Sequence, residues 1–264
     1  MNKTVILLST YDDGKDLWDG FFMCLEKQWP NCDLDIYMNT ETMSYSRQNL
    51  NIRCINTRKG LPWSKRLKMV LRQIDAEYIL LFLEDYWIDK VVNPKKVIQA
   101  IQWLDANKDV ASFSFYPCMK GHNIDDNRFP GFELRPQNCD YKLNCQVGLW
   151  RRKKLISFLR SHESAWDFEI LGSIRARRYK EKFYSISSYE DIPFSYGDPE
   201  LGCLVKKGKY VQSRVKELEN LYNITIDTSK RGIYEESQII KSSKRFASLK
   251  DMLQRAIKRI RSLI

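Results

Sequence analysis

Tyr78-Ile79-Leu80-Leu81-Phe82-Leu83-Glu84-Asp85-Tyr86-Trp87 is the stretch that decides the fold. Six apolar or aromatic residues run without a polar interruption and then stop at two carboxylates. A strand buried on both faces reads as such a continuous run, because helices cover a parallel sheet above and below. The segment therefore predicts a central strand over 78–83 that delivers Glu84 and Asp85 to the sheet edge. Open α/β sheets bind their ligands at that edge.

Working outward, Thr4 to Ser9 is a second short apolar run and predicts the first strand. A loop follows over 11–14, then a helix over 16–29 with Leu17, Phe21, Phe22 and Leu25 on one face, closed by Pro30-Asn31. Strands are predicted over 34–38 and 51–56. A helix over 62–75 starts at a proline, which the first helical turn tolerates. A helix over 94–107 and a strand over 110–115 complete the regular part. Residues 116–140 read as a long loop, 143–149 and 183–189 as strands, and 153–161 and 165–177 as helices. Alternating strands and helices imply an α/β fold, a mostly parallel sheet flanked by helices. The expected division is one catalytic domain over 1–240, with a nucleotide-sugar-binding half over about 1–115 and an acceptor-binding half over 116–240. A tail over 241–264 follows.

With 43% hydrophobic and 29% charged residues, the composition is that of a globular chain. The seven cysteines include no C-x-x-C pair, and the two histidines, His122 and His162, have no ligand-spaced partner. A disulfide framework, a zinc site and a histidine triad are thereby disfavoured. Neither G-x-x-x-x-G-K-[ST] nor G-x-G-x-x-G occurs, which argues against P-loop kinases and dinucleotide enzymes. No window is long and apolar enough to span a bilayer, and the N-terminal run is too short for a signal peptide. A reduced cytoplasmic setting is the expectation.

The net charge of +11 is concentrated: residues 241–264 hold eight basic side chains and one acidic, or +7. Nucleic acid is therefore not the expected partner. The tail instead reads as an amphipathic helix. Phe246, Leu253 and Ile257 belong to an apolar stripe, and Arg255, Lys258 and Arg259 lie largely opposite. That is the pattern of a helix in a membrane interface, on the inner face of the cell membrane. Packing on its own domain or on a second subunit is the alternative.

Adjacent carboxylates at a strand end suit Mg2+ or Mn2+, which take hard oxygen ligands and neutralise a diphosphate leaving group. A solvated loop or helix cap is the plain alternative for Glu84 and Asp85. The apolar strand running into Leu83-Glu84-Asp85 resembles the variant DxD motif of GT-A glycosyltransferases, where a similar strand meets "LEDD" or "LDDD". Tyr86 replaces the last acidic position of that motif. Asn144 to Arg152 followed by Glu163-Ser-Ala-Trp-Asp-Phe-Glu169 is similar to bacterial capsule and lipopolysaccharide transferases, in which an apolar segment precedes a helix bearing the catalytic carboxylate. The resemblance covers about residues 4–210. It implies transfer from a nucleotide sugar, a UDP-sugar first among the donors, to a glycan or lipid-linked acceptor.

An inverting transferase needs a carboxylate to take the acceptor hydroxyl proton, and Glu169 and Asp167 are the candidates. Ser164 to Asp167 also has capping-box spacing, which gives Asp167 a structural role. On a regular helix the two residues point about 200° apart, so they do not share one site. Trp166 is a candidate platform for a sugar ring or a core residue. By position in the GT-A pattern, Thr10, Tyr11, Asp12 and Asn39 are donor candidates, each also readable as an ordinary turn residue. Arg66 is a candidate phosphate ligand. Lys206 and Lys209 flank a glycine in a basic stretch read as a flexible loop able to close over a diphosphate. The rival readings are a nucleotidyltransferase on a related sheet, disfavoured by the acidic 9–13 loop, and a non-catalytic protein that binds a membrane or nucleic acid through its tail.

Overall fold

The computed structural model describes residues 3–117, 124–197 and 202–234. In chain order the main elements are β1 (Thr4–Ser9), a 3-10 turn (Asp12–Leu17), α1 (Trp18–Gln28), β2 (Ile36–Thr40), β3 (Ile52–Asn56), α2 (Trp63–Gln73), β4 (Tyr78–Leu83), α3 (Pro94–Ala106) and β5 (Val110–Ser114). Then follow β6 (Ile124–Asp125), β7 (Phe132–Leu134), β8 (Gly148–Arg151), α4 (Arg152–Phe158), α5 (Ala165–Asp167), a π-helical turn (Phe168–Gly172), α6 (Ser173–Ala176) and β9 (Lys182–Ile186). The described chain closes with β10 (Val205–Lys206), β11 (Lys209–Val211), α7 (Gln212–Tyr222) and β12 (Ile233–Tyr234).

Nine strands form one mixed sheet in the order β3-β2-β1-β4-β8-β5-β9-β7-β6, and β10-β11-β12 form a second, small sheet. β1 pairs in parallel with β2 and β4, which sets Ser9 beside both Asn39 and Leu83. The chain leaves β1 toward β2 and β3 and then returns to β4 on the other side. The switch point, where connections diverge and a crevice opens, is therefore between β1 and β4. Strands from both sides of residue 115 share the sheet, because β8 inserts antiparallel between β4 and β5.

Alternate residues of β1 and β4 face opposite cores, as the two-residue period of a strand requires. Ile6, Leu8, Leu80 and Phe82 pack with Phe21, Phe22 and Leu25 of α1 and with Val215 and Leu218 of α7. Val5, Leu7, Ile79 and Leu81 pack with Leu67, Val70 and Leu71 of α2 and Leu155 of α4. Both faces are thus covered, and each fully buried aliphatic or aromatic side chain contributes roughly 1.5–3 kcal/mol.

Several expectations are corrected. β2 starts and ends two residues later than predicted, so Asn39 lies within the strand. The 116–140 stretch contains β6 and β7, which extend the sheet through β9. The basic stretch around Gly208 is a β-hairpin: Lys207 (φ 52°) and Gly208 (φ 79°) both adopt the left-handed backbone of a tight two-residue turn. The helix over 165–177 is broken by the π-helical turn. α7 and β12 carry no counterpart in the sequence reading. The amphipathic tail, with Phe246, Leu253, Ile257, Arg255, Lys258 and Arg259, lies outside the described residues. Among the described residues no helix is long and apolar enough to cross a membrane.

Candidate functional site

The ends of β1 and β4 open into a cleft of about 410 Å³. Its walls include Thr10, Tyr11, Trp63, Arg66, Glu84, Asp85, Trp166, Val205, Gly208 and Arg231. β4 delivers the two carboxylates, the loop after β1 delivers Thr10 and Tyr11, and the first turn of α2 delivers Trp63 and Arg66. Two tryptophans lock the β1 loop: Trp18 donates to the Thr10 hydroxyl at 2.9 Å and Trp63 to the Ser9 hydroxyl at 3.0 Å. Arg66 donates Nη1 to the Thr10 carbonyl at 2.6 Å and lies over the Tyr11 ring at 5.7 Å.

Glu84 and Asp85 are partly exposed to the cleft, yet the surrounding protein excludes much of their water. Burial, reinforced by the neighbouring Asp85 charge, pushes Glu84 up to about 8, against the opposing pull of Arg231 and Arg66. Burial also raises Asp85, opposed by the Cys203 thiol, which donates to its Oδ2 at 2.9 Å. Gly14 makes room for this pair: a Cβ there would stand 3.1 Å from Glu84 Oε1. Tyr86, in the place of the last acidic motif residue, is turned inward. Its ring stacks on Tyr196 at 4.4 Å and its hydroxyl donates to the Cys145 carbonyl at 3.2 Å.

The donor set fits a divalent cation of one kind. Mg2+ commonly takes one or two carboxylates and completes its shell with water and ligand phosphates. Two hard carboxylates on adjacent residues meet that need, whereas no cluster of three or more histidine, cysteine or acidic residues exists among the described residues to form an all-protein cage.

A second cavity, of about 300 Å³, is lined by Tyr116, Pro117, Arg135, Tyr141, Asn144, Gln146, Trp166 and Glu169. Trp166 belongs to both cavities and is 68% exposed, so it is a wall between them and not a core residue. Glu169 sits in the π-helical turn, whose wider winding changes where a residue points relative to the preceding α-turn. Its Oε1 accepts the backbone N–H of Cys145 at 2.8 Å, and burial raises it above the ordinary glutamate value despite that bond.

Asp167 completes a capping box: the Ser164 hydroxyl accepts the Asp167 N–H, and Asp167 Oδ2 accepts the Ser164 N–H at 3.2 Å. That engagement gives Asp167 the structural role that the capping-box spacing predicts. The donor candidacy of Asp12 is corrected. Its carboxylate accepts the N–H groups of Glu41 at 2.9 Å and Thr42 at 3.0 Å and the Thr42 hydroxyl at 2.6 Å. It ties the β1 loop to the β2 loop and does not line the cleft. Asn39 is fully buried within β2 and does not line it either. Of the hairpin, Val205 and Gly208 reach the cleft, while Lys206 lies over the Tyr234 ring at 5.7 Å and Lys209 is solvent-exposed.

Arg231 is a charged cleft residue that the sequence reading missed, as it missed Trp63. Its Nε and Nη2 donate to the two Asp16 oxygens at 2.6 and 2.9 Å. Nothing in Ser229-Lys-Arg-Gly232 distinguishes it from other basic pairs; only the return of the chain through β12 brings it to β4. Burial opposes ionisation of Asp16, but hydrogen bonds from Arg231, Tyr210 and Lys230 outweigh it and hold the carboxyl at about 2.

Comparison with solved structures decides the architecture. Residues 1–349 of TarS from S. aureus superpose at a TM-score of 0.52 with 14% identity, covering 99% of this chain and 81% of that one. The fold is GT-A-like. The same TarS fragment in complex with UDP superposes at 0.50 with 13% identity, covering 99% of this chain and 79% of that one. At this identity the likeness shows the GT-A-like fold alone. No protein-family model matches the sequence, and no curated protein matches it.

Proposed function

We propose that this chain is a glycosyltransferase that moves a sugar from a nucleotide sugar, a UDP-sugar first among the donors, onto a glycan or lipid-linked acceptor of a bacterial surface polysaccharide. The carrying observation is the pair of cavities joined at Trp166: one presents two carboxylates and two guanidiniums, and the other presents a single desolvated carboxylate, Glu169. The complex of TarS with UDP supports UDP as the first donor to test.

In this reading the diphosphate lies in the β1–β4 cleft, where Arg66 and Arg231 meet its charge. Glu84 and Asp85 would hold Mg2+ or Mn2+, which would supply positive charge against the leaving diphosphate. The acceptor enters beside Trp166 and stacks a sugar ring on the exposed indole. Glu169 takes the proton of the acceptor hydroxyl, that oxygen attacks the anomeric carbon, and the bond to the diphosphate oxygen breaks with its electron pair, inverting configuration. Donor loops fixed by Trp18, Trp63 and Asp12 supply the preorganisation that such a site needs. The tail stripe recruits the enzyme to the inner face of the membrane, where lipid-linked acceptors reside.

A thermal-shift panel of UDP-, GDP- and CMP-sugars with Mn2+ tests the proposal. At least one should raise the midpoint, because a ligand that binds only the folded state stabilises it. No shift with any of them would overturn it.

A further inference from the structure

We propose that Asp16 is a positioning residue for the donor site: it holds Arg231 off the Glu84-Asp85 pair and presents its remaining donors to the donor diphosphate. This rests on the reading of the β1–β4 cleft as a nucleoside-diphosphate site.

Arg231 lines the same cleft as Glu84 and Asp85. An arginine that shares a cleft with an ionised carboxylate is drawn onto it, since Coulomb attraction grows as water is excluded. There it would fill the place of the cation and the phosphates. Its ion pair is instead with Asp16, through Nε at 2.6 Å. The two-pronged Asp16 bond fixes the plane of the guanidinium, as a fork on a carboxylate does. Nε and Nη2 are engaged by Asp16, and Nη2 also approaches the Asp13 carbonyl at 3.3 Å. The fork carries two further N–H groups on Nη1, and the Arg231 side chain also hydrogen-bonds Tyr11, another wall of the cleft.

Asp16 is itself fixed from two other directions. The Tyr210 hydroxyl donates to its Oδ2 at 2.8 Å, and Lys230 Nζ lies 3.1 Å from its Oδ1. Lys230 also lies 4.0 Å from Asp13 Oδ1, so Asp13 and Asp16 together meet the two cations Lys230 and Arg231. The anchor also spans the fold: Asp16 leads into α1, Tyr210 belongs to β11, and Lys230 and Arg231 precede β12.

Isothermal titration of the full chain with UDP, UMP and uridine at fixed Mn2+ tests this. Asp16→Asn should weaken UDP about tenfold, by loss of an oriented charge-assisted contact, while uridine changes by less than about twofold. Arg231→Lys should give the same pattern, because lysine lacks the fork. The double variant should lose no more than Arg231→Lys alone, since residues acting through one another are not additive. Tyr210→Phe removes one support of Asp16 and keeps the carboxylate; it should give a smaller loss on UDP only, and it carries the test should Asp16→Asn fail to fold. Wild-type UDP affinity in Asp16→Asn, equal losses on UDP and uridine, or additive losses in the double variant would overturn the proposal. Absence of UDP, GDP and CDP binding by the unmodified protein would overturn the donor-cleft reading as well, a result read before any variant is made.

Discussion

The Glu169 carboxylate accepts the backbone N–H of Cys145 at 2.8 Å, which joins the π-helical turn to the chain leading into β8. Glutamine retains an oxygen for that bond but cannot take a proton. Glu169→Gln should therefore abolish transfer while leaving UDP affinity unchanged, because the base acts on the acceptor. Burial raises Glu169, so the acid limb of kcat/KM should lie above the ordinary glutamate value of about 4.3. Activity is lost as pH falls through that limb, when the base becomes protonated. Full activity in Glu169→Gln would show that the base lies elsewhere.

Glu84→Gln and Asp85→Asn should each lower transfer by at least about tenfold without unfolding the chain, because each removes one of two charges that would hold the cation. The effect should appear as a higher Mn2+ concentration for half-maximal activity. Unchanged turnover in both variants would remove the pair from the mechanism.

Trp166 is 68% exposed, so its replacement by alanine removes little buried area. Trp166→Ala should leave the melting temperature within about 2 °C, since surface changes cost at most about 0.5 kcal/mol. Acceptor KM should rise at least about fivefold, in line with the ~1 kcal/mol expected for a lost ring-stacking contact. A fall in stability with unchanged KM would assign the indole to packing.

Asp12 holds the β2 loop through the Glu41 and Thr42 amides and the Thr42 hydroxyl. Asp12→Ala leaves those donors unpaired and should cost about 2 kcal/mol, within the range for hydrogen bonds to a charged group, read as a lower urea midpoint. Despite the opposing effect of burial, these bonds lower the Asp12 pKa, and Asp16 is held at about 2. A carboxylate with a depressed folded pKa stabilises above its unfolded value, near 3.9. That contribution should be intact at neutral pH and should disappear as pH falls from about 4 toward 2. A urea midpoint that is flat across that interval would contradict the pairing.

Truncation after Ile240 removes the Phe246 to Ile264 stripe and seven net positive charges. At roughly 1 kcal/mol per basic residue near an anionic surface, the tail should suffice for reversible recruitment. The truncated chain should stay in the supernatant with phosphatidylserine vesicles and still bind UDP. Equal sedimentation of both forms would refute membrane recruitment, and aggregation of the shorter form would assign the stripe to the protein core.

The central strands were legible because a strand covered on both faces has to be apolar at every position. The 78–83 run and the 4–9 run therefore announce β4 and β1 without any knowledge of their neighbours. Their ends place Glu84, Asp85, Thr10 and Tyr11 at one edge, and helix periodicity places Arg66 nearby. Asp167 was legible as a cap for the same reason, since a capping box is complete within four residues.

Other features come from contacts that no local pattern encodes. β8 runs antiparallel between β4 and β5, and its partners lie about 35 and 70 residues back along the chain, so no local pattern announces the pairing. Asp12 meets the β2 loop 29–31 residues away, and Arg231 meets Asp16 across 215 residues. Such bonds form only once packing has brought distant backbone together, so the side chains that make them look like ordinary surface charges in the sequence. The sequence by itself determined the parallel core and the sheet edge that opens into the cleft, because burial acts on each strand residue by residue. Only the tertiary structure decided that Glu169 meets the Cys145 amide and that Arg231 faces the cleft, because each depends on hydrogen-bond partners that the fold supplies.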